Sequence, residues 1–499
     1  MKGLIKLHHL IHSLSKTEKR YISIELAKQK SNKGKTDLKL FNLLKKQNKL
    51  NEDAVFAFPE FSSTTKIIIR CNYLFDFILR CLINYNYSRE IEINIGNHIR
   101  IVKNFILKGL HQYTHYYLNK AQKLAEHYED LYRLGILCSL REIIVNRSSK
   151  THDEFFREIQ KIEQQENNVH EKIFNLNNYN NHLNHLTTAL KKNSSLRLDA
   201  ETTSILKGII ASPLFAKEQN ALTKKAKIIF HQINAIHHEH ITHDYKKALD
   251  HTEKQMALIK FLDSYQKVNS IPYITCLKQS FIFASENSLQ KAREALRELE
   301  KMYHPKSVSQ NMFEQSFIFL NFLEAETRLA FIENDFQRIK NHPSTFYEEI
   351  ELFDKMYDGE SKMILYFNLA LRFIAINEYK QAFRWLEKIL QVYQGMRLDI
   401  LEDAHILSLI CIYEIDSVNL FQSRERSYMR HYQGKANSVH TKIIHRLSAI
   451  YQHKIDTEHV RKKMQELESF LRQEIKKHEI DQMLCEAAFI WIRKNNPAK

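Results

Sequence analysis

At 499 residues the chain is longer than a single compact core usually supports, which leaves several units or an elongated arrangement. It holds only 9 glycines and 6 prolines, where average usage of about 7% and 5% would give roughly 60, so turn-rich strand architectures are excluded and an all-α fold of long helices is expected. A hydrophobic fraction of 43% excludes wholesale disorder, and the richest apolar run, Ile67 to Ile83, is interrupted by Arg70, Asp76 and Arg80, so no membrane span is expected.

The formal net charge of +16 is unevenly spread. Residues 1–50 carry 13 Lys or Arg against 3 Asp or Glu, and residues 101–150 carry 8 against 4, whereas residues 151–499 are nearly neutral at 48 against 45. A positive front of this kind suits phosphate-rich partners, an acidic protein or an anionic membrane surface. The competing reading is compositional bias, since Lys, Asn and Ile are all abundant. The opening Met1-Lys2-Gly3-Leu4-Ile5-Lys6 has no long apolar core and no small-residue cleavage site, so a cytoplasmic location is expected.

Residues 1–62 read as a basic helical N-terminal unit of three short helices. Ser15-Lys16-Thr17-Glu18 has the spacing of a capping box and predicts a helix running to about Gln29. Residues 30–36 form a basic loop, after which Asp37 is expected to cap a helix carrying Leu40, Phe41, Leu43 and Leu44. Lys16, Lys19, Arg20, Lys28, Lys30, Lys33, Lys35, Lys45, Lys46 and Lys49 form a candidate basic contact surface. Such charges would grip the phosphates of RNA, DNA or a ribosome, with little sequence readout; a solvated charged face is the alternative. Tyr21 and Phe41 fit apolar helical faces and read as core. The phrase Leu14-Ser15-Lys16-Thr17-Glu18-Lys19-Arg20-Tyr21 is similar to the opening of an uncharacterised bacterial helical-repeat family, which implies no activity.

Residues 63–165 are expected to hold the first helical hairpins, from Ile101-Val102-x2-Phe105 and Tyr117-Leu118-x2-Ala121 to Leu131-x2-Leu134-Gly135. Residues 166–225 read as an Asn-rich interruption with connecting helices. Asn competes for backbone hydrogen bonds and forms helices poorly, so the stretch from Asn167 to Ser195 is the expected break, and a candidate hinge.

Residues 226–400 carry a repeated pattern. The strongest copy has Tyr366-x2-Leu369-Ala370-x2-Phe373, then Tyr379-x2-Ala382-x3-Leu386. Small residues at 370 and 382 would let two antiparallel helices approach, while the larger ones fill the space around them. This segment, through Leu390, resembles the tetratricopeptide repeat, which implies protein or peptide binding on a concave helical surface. It departs from the family at Gln394, near where a closing proline is usual. Weaker copies begin at Tyr245, Leu289 and Phe336, giving spacings of 44, 47 and 43 up to Tyr379. These exceed the period of about 34 for that family and predict longer helices. Residues 401–499 are expected to cap the stack with helices polar on the outside, as Arg461, Lys462, Glu466, Glu468 and Arg472 suggest.

Chemistry is sparse. The six cysteines form no C-x-x-C pair and read as reduced core residues. No two glycines lie within ten positions, which excludes a Walker loop, a Rossmann fingerprint and a nucleophile elbow. His237-His238-Glu239-His240-Ile241-Thr242-His243 puts Glu239 and His243 four apart, a spacing that could hold a metal, yet Thr242 stands where the zincin pattern needs histidine. Chance clustering at a hairpin corner is the preferred reading there, and more so for His8, His9 and His12. No catalytic residue, cofactor or metal ligand is therefore nominated. The expectation is a non-enzymatic scaffold that binds a protein or peptide through an elongated stack of helical hairpins, with a nucleic-acid or ribosome-associated binder as the alternative.

Overall fold

A computed structural model of the protein describes residues 2–29, 32–47, 50–57, 59–61, 64–86, 91–148, 151–192, 198–263, 271–303, 312–341, 345–392, 397–415, 418–431, 438–477 and 480–496. The fold is all-α, with 24 α-helices and no strand among the described residues. Helices start where the chain supplies a side-chain acceptor for orphan amides: Ser15, Asn51, Asp199, Thr223, Asp358, Ser438, Asp456 and Asp481 each cap one. At Ser15 both halves of the capping box are made, Glu18 returning to the Ser15 N–H at 2.7 Å.

The first unit comprises α1 (Lys2–Ser13), α2 (Lys16–Ala27), α3 (Asn32–Lys46), α4 (Glu52–Phe56) and α5 (Thr64–Asn86). Its core runs from Leu4 to Cys81, so the boundary expected at residue 62 cuts through it: Ile67, Leu74 and Ile78 of α5 complete the packing. Asp37 is not a cap. It sits inside α3, fully buried, 3.5 Å from Arg70 of α5, and burial raises its carboxyl above the usual range while Arg70 pulls it back. His8 and His12 lie within hydrogen-bond reach of the Gln47 and Leu44 carbonyls, at 2.9 and 3.1 Å, and so serve the C-terminal end of α3.

Next come α6 (Ile91–Leu107), α7 (Thr114–His127), α8 (Leu131–Ser148) and α9 (His152–Lys192). The break expected between Asn167 and Ser195 does not occur, because α9 continues through it to Lys192; residues 193–195 lie outside the described residues. Phe155, Ile162, Val169, Leu176, Leu183 and Leu190 recur every seven residues and supply the apolar stripe that overrides the weak propensity of Asn. One asparagine works directly for the fold. Asn175 is buried, donates to the Asn220 carbonyl at 2.9 Å and accepts from the Leu222 amide at 3.1 Å, which fastens the loop before α11 to α9.

The remaining helices follow in pairs: α10 (Ala200–Ile210) with α11 (Lys224–His240) beside α9, then α12 (Tyr245–Asp263), α13 (Ile271–Ser285), α14 (Leu289–Tyr303), α15 (Met312–Glu333), α16 (Gln337–Lys340), α17 (Thr345–Asp354), α18 (Gly359–Ala375) and α19 (Tyr379–Val392). Tyr245, Leu289 and Tyr379 are the first residues of α12, α14 and α19, and Phe336 is the N-cap of α16, so the spacing read from sequence marks helix starts. Tyr366, Leu369, Ala370, Tyr379, Ala382 and Leu386 are buried between α18 and α19, with Phe373 half-buried against them. Gln394 lies outside the described residues.

With so little glycine, corners are made otherwise. Helices α6, α7, α15 and α18 end in the same six-residue closure, in which the amides of Leu110, Asp130, Asp335 and Glu378 reach back five residues. The left-handed position is Gly109 in the first, but Glu129, Asn334 and Asn377 in the others, with φ of 51°, 53° and 64°.

Last are α20 (Leu398–Ile415), α21 (Val418–His431), α22 (Val439–Gln452), α23 (Thr457–Lys476) and α24 (Gln482–Asn495). Helix α23 has the expected polar outer face: Val460, Met464, Leu467 and Leu471 point inward. Helix α24 lies on the inner side of this segment. It returns to pack on α15, α18 and α20 and buries Leu484, Cys485, Ala488, Phe489 and Trp491. Glu414 of α20 receives the Trp491 indole at 3.0 Å, the Lys494 ammonium at 2.6 Å and the Asn495 amide at 2.7 Å.

Candidate functional site

Of the ten basic residues nominated at the front, Lys16, Arg20, Lys28, Lys35, Lys45 and Lys46 are exposed and Lys19 is half-buried. Lys28 is paired with Glu25 at 2.6 Å. Burial, then the neighbouring charge of Lys45, lowers the Lys19 ammonium, which places Lys19 and Lys45 on one positive region joining α2 and α3. Lys30 and Lys49 lie outside the described residues, as does the Lys33 side chain.

A larger concavity lies further along. A groove of about 450 Å³ opens between α6, the α7–α8 corner, α9 and the start of α11. The left-handed corner residue Glu129 shapes it: its carboxylate accepts the Lys224 amide at 2.7 Å, capping α11 from a position 95 residues away. Asp130 holds the Arg133 guanidinium, whose other side faces Glu92 at 3.8 Å. Tyr132 and Ile136, one turn apart on α8, stand out at this groove with 68% and 44% exposure, and Ile173 and Leu176 of α9 form its opposite wall.

The histidine-rich corner proves to be part of a second, smaller space. Helix α11 ends at His240 and His243 takes a left-handed φ of 50°, so Glu239 and His243 do not share a helical face as their spacing suggested. Both instead line a chamber of about 270 Å³ whose other walls include Tyr245 of α12, Ile282 and Glu286 at the end of α13, Arg328 of α15, and Ile475, Lys477, Ile480, Asp481 and Gln482 from the ends of α23 and α24. Arg328 donates to Glu286 at 3.5 Å and to Gln482 at 3.2 Å, a partner 154 residues away. Burial raises the Glu239 carboxyl above its ordinary range, with His240, Arg328 and Lys278 pulling it back. Among the described residues no three His, Cys, Asp or Glu side chains converge as a metal set.

A third polar cluster is enclosed. Asp403, wholly buried on α20, accepts from His440 Nε2 at 3.0 Å, while Glu402 lies 3.5 Å from the other ring nitrogen. Burial drives the Asp403 carboxyl to about 7, against the pull of His440 and with Asp481 and Asp399 adding to the rise.

Comparison with family models, curated proteins and solved structures finds no match for this chain. The functional reading therefore stands on the geometry of these regions. Sequence reasoning located the basic front but missed the groove and the chamber, because each is assembled from segments far apart in the chain. Only Glu239, His240 and His243 were visible in advance, and as metal-ligand candidates.

Proposed function

We propose that the protein is a non-enzymatic, cytoplasmic binding scaffold in which tetratricopeptide-like hairpins with long helices stack into an elongated superhelix that holds a protein or peptide partner. The supporting observation is the groove beside α8, where exposed Tyr132 and Ile136 are flanked by Glu92, Asp130, Arg133 and Lys225. An aromatic anchor with a charged rim is the arrangement that concentrates binding energy at protein interfaces.

The test is photo-crosslinking in the native cell with a benzophenone side chain at position 132, and at exposed Ile455 as control. A specific protein adduct at 132 that disappears in the Ile136→Asp variant, with the melting temperature unchanged, is the expected result. Equal adducts at both positions would refute the groove as the binding surface.

The exposed lysines at the front favour a second reading, a nucleic-acid or ribosome-associated binder. Affinity for RNA or DNA should then fall steeply with salt and vanish when Lys16, Arg20, Lys45 and Lys46 are changed to Glu. No retention of the intact chain at low salt would end that reading.

A further inference from the structure

Helix α5 closes the core of the first unit with one face and leaves the opposite face open. Ile67, Cys71, Leu74, Ile78 and Cys81 are buried where the helix packs on α1, α2 and α3. On the outer side Ile69, Tyr73, Leu79 and Ile83 are 62%, 41%, 39% and 61% exposed, and the Tyr73 ring stacks on half-buried Phe77 with centroids 6.5 Å apart. The outer face of a surface helix ordinarily carries polar side chains, so an apolar one of this length marks a contact surface. Two charges sit in its middle. Asp76 and Arg80 are exposed, and neither is in an ion pair among the described residues.

The order of these side chains points to what covers them. Ile69, Tyr73, Asp76, Arg80 and Ile83 are spaced by four, three, four and three residues, the alternation by which one helix meets another along a seam. The seam is also self-complementary. When a second α5 is laid antiparallel about a two-fold axis passing between residues 76 and 80, Asp76 of each copy faces Arg80 of the other, and Tyr73 of each faces Ile83 of the other. Phe77 and Leu79 then flank the two ion pairs and shield them from water. A surface that matches itself in this way is what an isologous two-fold contact requires.

Charge argues against other occupants. Arg70 is already held by Asp37, and the exposed lysines of the front lie on α2 and α3, so an anionic membrane or a nucleic acid would meet Arg80 offset by Asp76. We propose that α5 is a self-association surface on which a second copy of this chain docks antiparallel to form a dimer. One helix of 23 residues per copy, about 34 Å long, makes a contact at the small end of specific interfaces, so association falls in the micromolar range. The dimer carries two basic α2–α3 surfaces on one particle, which gives any acidic partner two points of attachment.

The test is sedimentation velocity of the intact chain across the micromolar range, with two charge reversals. The parent should show a monomer–dimer equilibrium. Asp76→Arg sets Arg against Arg across the axis and Arg80→Asp sets Asp against Asp, so each variant alone should associate at least about tenfold more weakly. Mixed in equal amounts, the two variants should form a heterodimer of parental strength, because every charge contact across the axis then joins Arg to Asp. The double reversal should dimerise by itself. Both side chains are exposed, so the melting temperatures of the monomeric variants should stay close to that of the parent. A parent that stays monomeric, including one that binds anionic vesicles through this face instead, would overturn the proposal. So would a dimer indifferent to the reversals, or variants that fail to associate when mixed. None of these outcomes bears on the groove at Tyr132, which lies on other helices.

Discussion

Replacing Asp403 by Asn should change how stability depends on pH, in a direction fixed by the geometry. The Asp403 carboxyl is wholly enclosed on α20 and its folded-state value lies at about 7, against 3.8 for the free side chain. The folded protein thus holds this proton more tightly than the unfolded chain does. The stabilisation is complete below about pH 4 and is lost as pH rises through 7. A rise of roughly three units corresponds to about 4 kcal/mol in all, of which about 2.5 kcal/mol falls between pH 5 and pH 8. Asn cannot titrate, so the variant lacks this slope. Melting temperatures of both proteins, measured from pH 5 to pH 8, should draw together or cross as pH rises, the variant gaining about 2–3 °C relative to the parent. Parallel curves would refute the reasoning and show that Asp403 stays ionised against His440 throughout.

Other perturbations test the packing. Ala382→Glu puts a charge between α18 and α19, where residue 382 is fully buried, and should cost several kcal/mol, read as a sharp fall in melting temperature; an unchanged value would mean the two helices do not meet there. Glu414→Ala strips the Trp491 indole, Lys494 and Asn495 of their shared acceptor and should cost about 1–3 kcal/mol, with faster hydrogen exchange along α24, whereas Glu414→Gln should retain most of the stability. Removing the Glu326 carboxylate by Glu326→Ala leaves Arg372 without its 3.0 Å partner in the α15–α18 interface and should cost about 3–5 kcal/mol, while the double replacement Glu326→Leu with Arg372→Met should cost much less. Equal costs for the single and double changes would contradict the reading of that pair as mutually required.

How much of this was visible beforehand depends on the range of the interaction. Local signals were legible: the Ser15 capping box, the helix starts at Tyr245, Leu289 and Tyr379, and the small residues at 370 and 382 depend on neighbours within a turn or one hairpin. Errors arose where a distant partner decided the outcome. Asp37 looked like a cap because Asp usually is one, yet Arg70 draws it into the interior of α3. The asparagines after residue 167 suggested a break, although the apolar side chains at every seventh position from Phe155 to Leu190 were there to be counted. The burial of α24 could not be read locally either, since it depends on Glu414 and the apolar faces of α15, α18 and α20, which lie far from it in sequence. The groove and the chamber belong to the same class, since each draws its walls from four or more segments.

The unbroken helix α9 has a further consequence. Its 41 residues span about 60 Å and dock at both ends, through Phe155 and Ile162 on α8 and through Tyr179 and Leu186 in the core shared with α10 and α11. Those two footholds are tied in rotational phase. One residue inserted between Val169 and Leu176 would turn everything downstream by about 100° and send Tyr179 and Leu186 toward solvent, whereas seven would leave the two faces within about 20° of alignment. The rod thus acts as a gauge of both distance and angle, tolerant of length changes only in whole heptads.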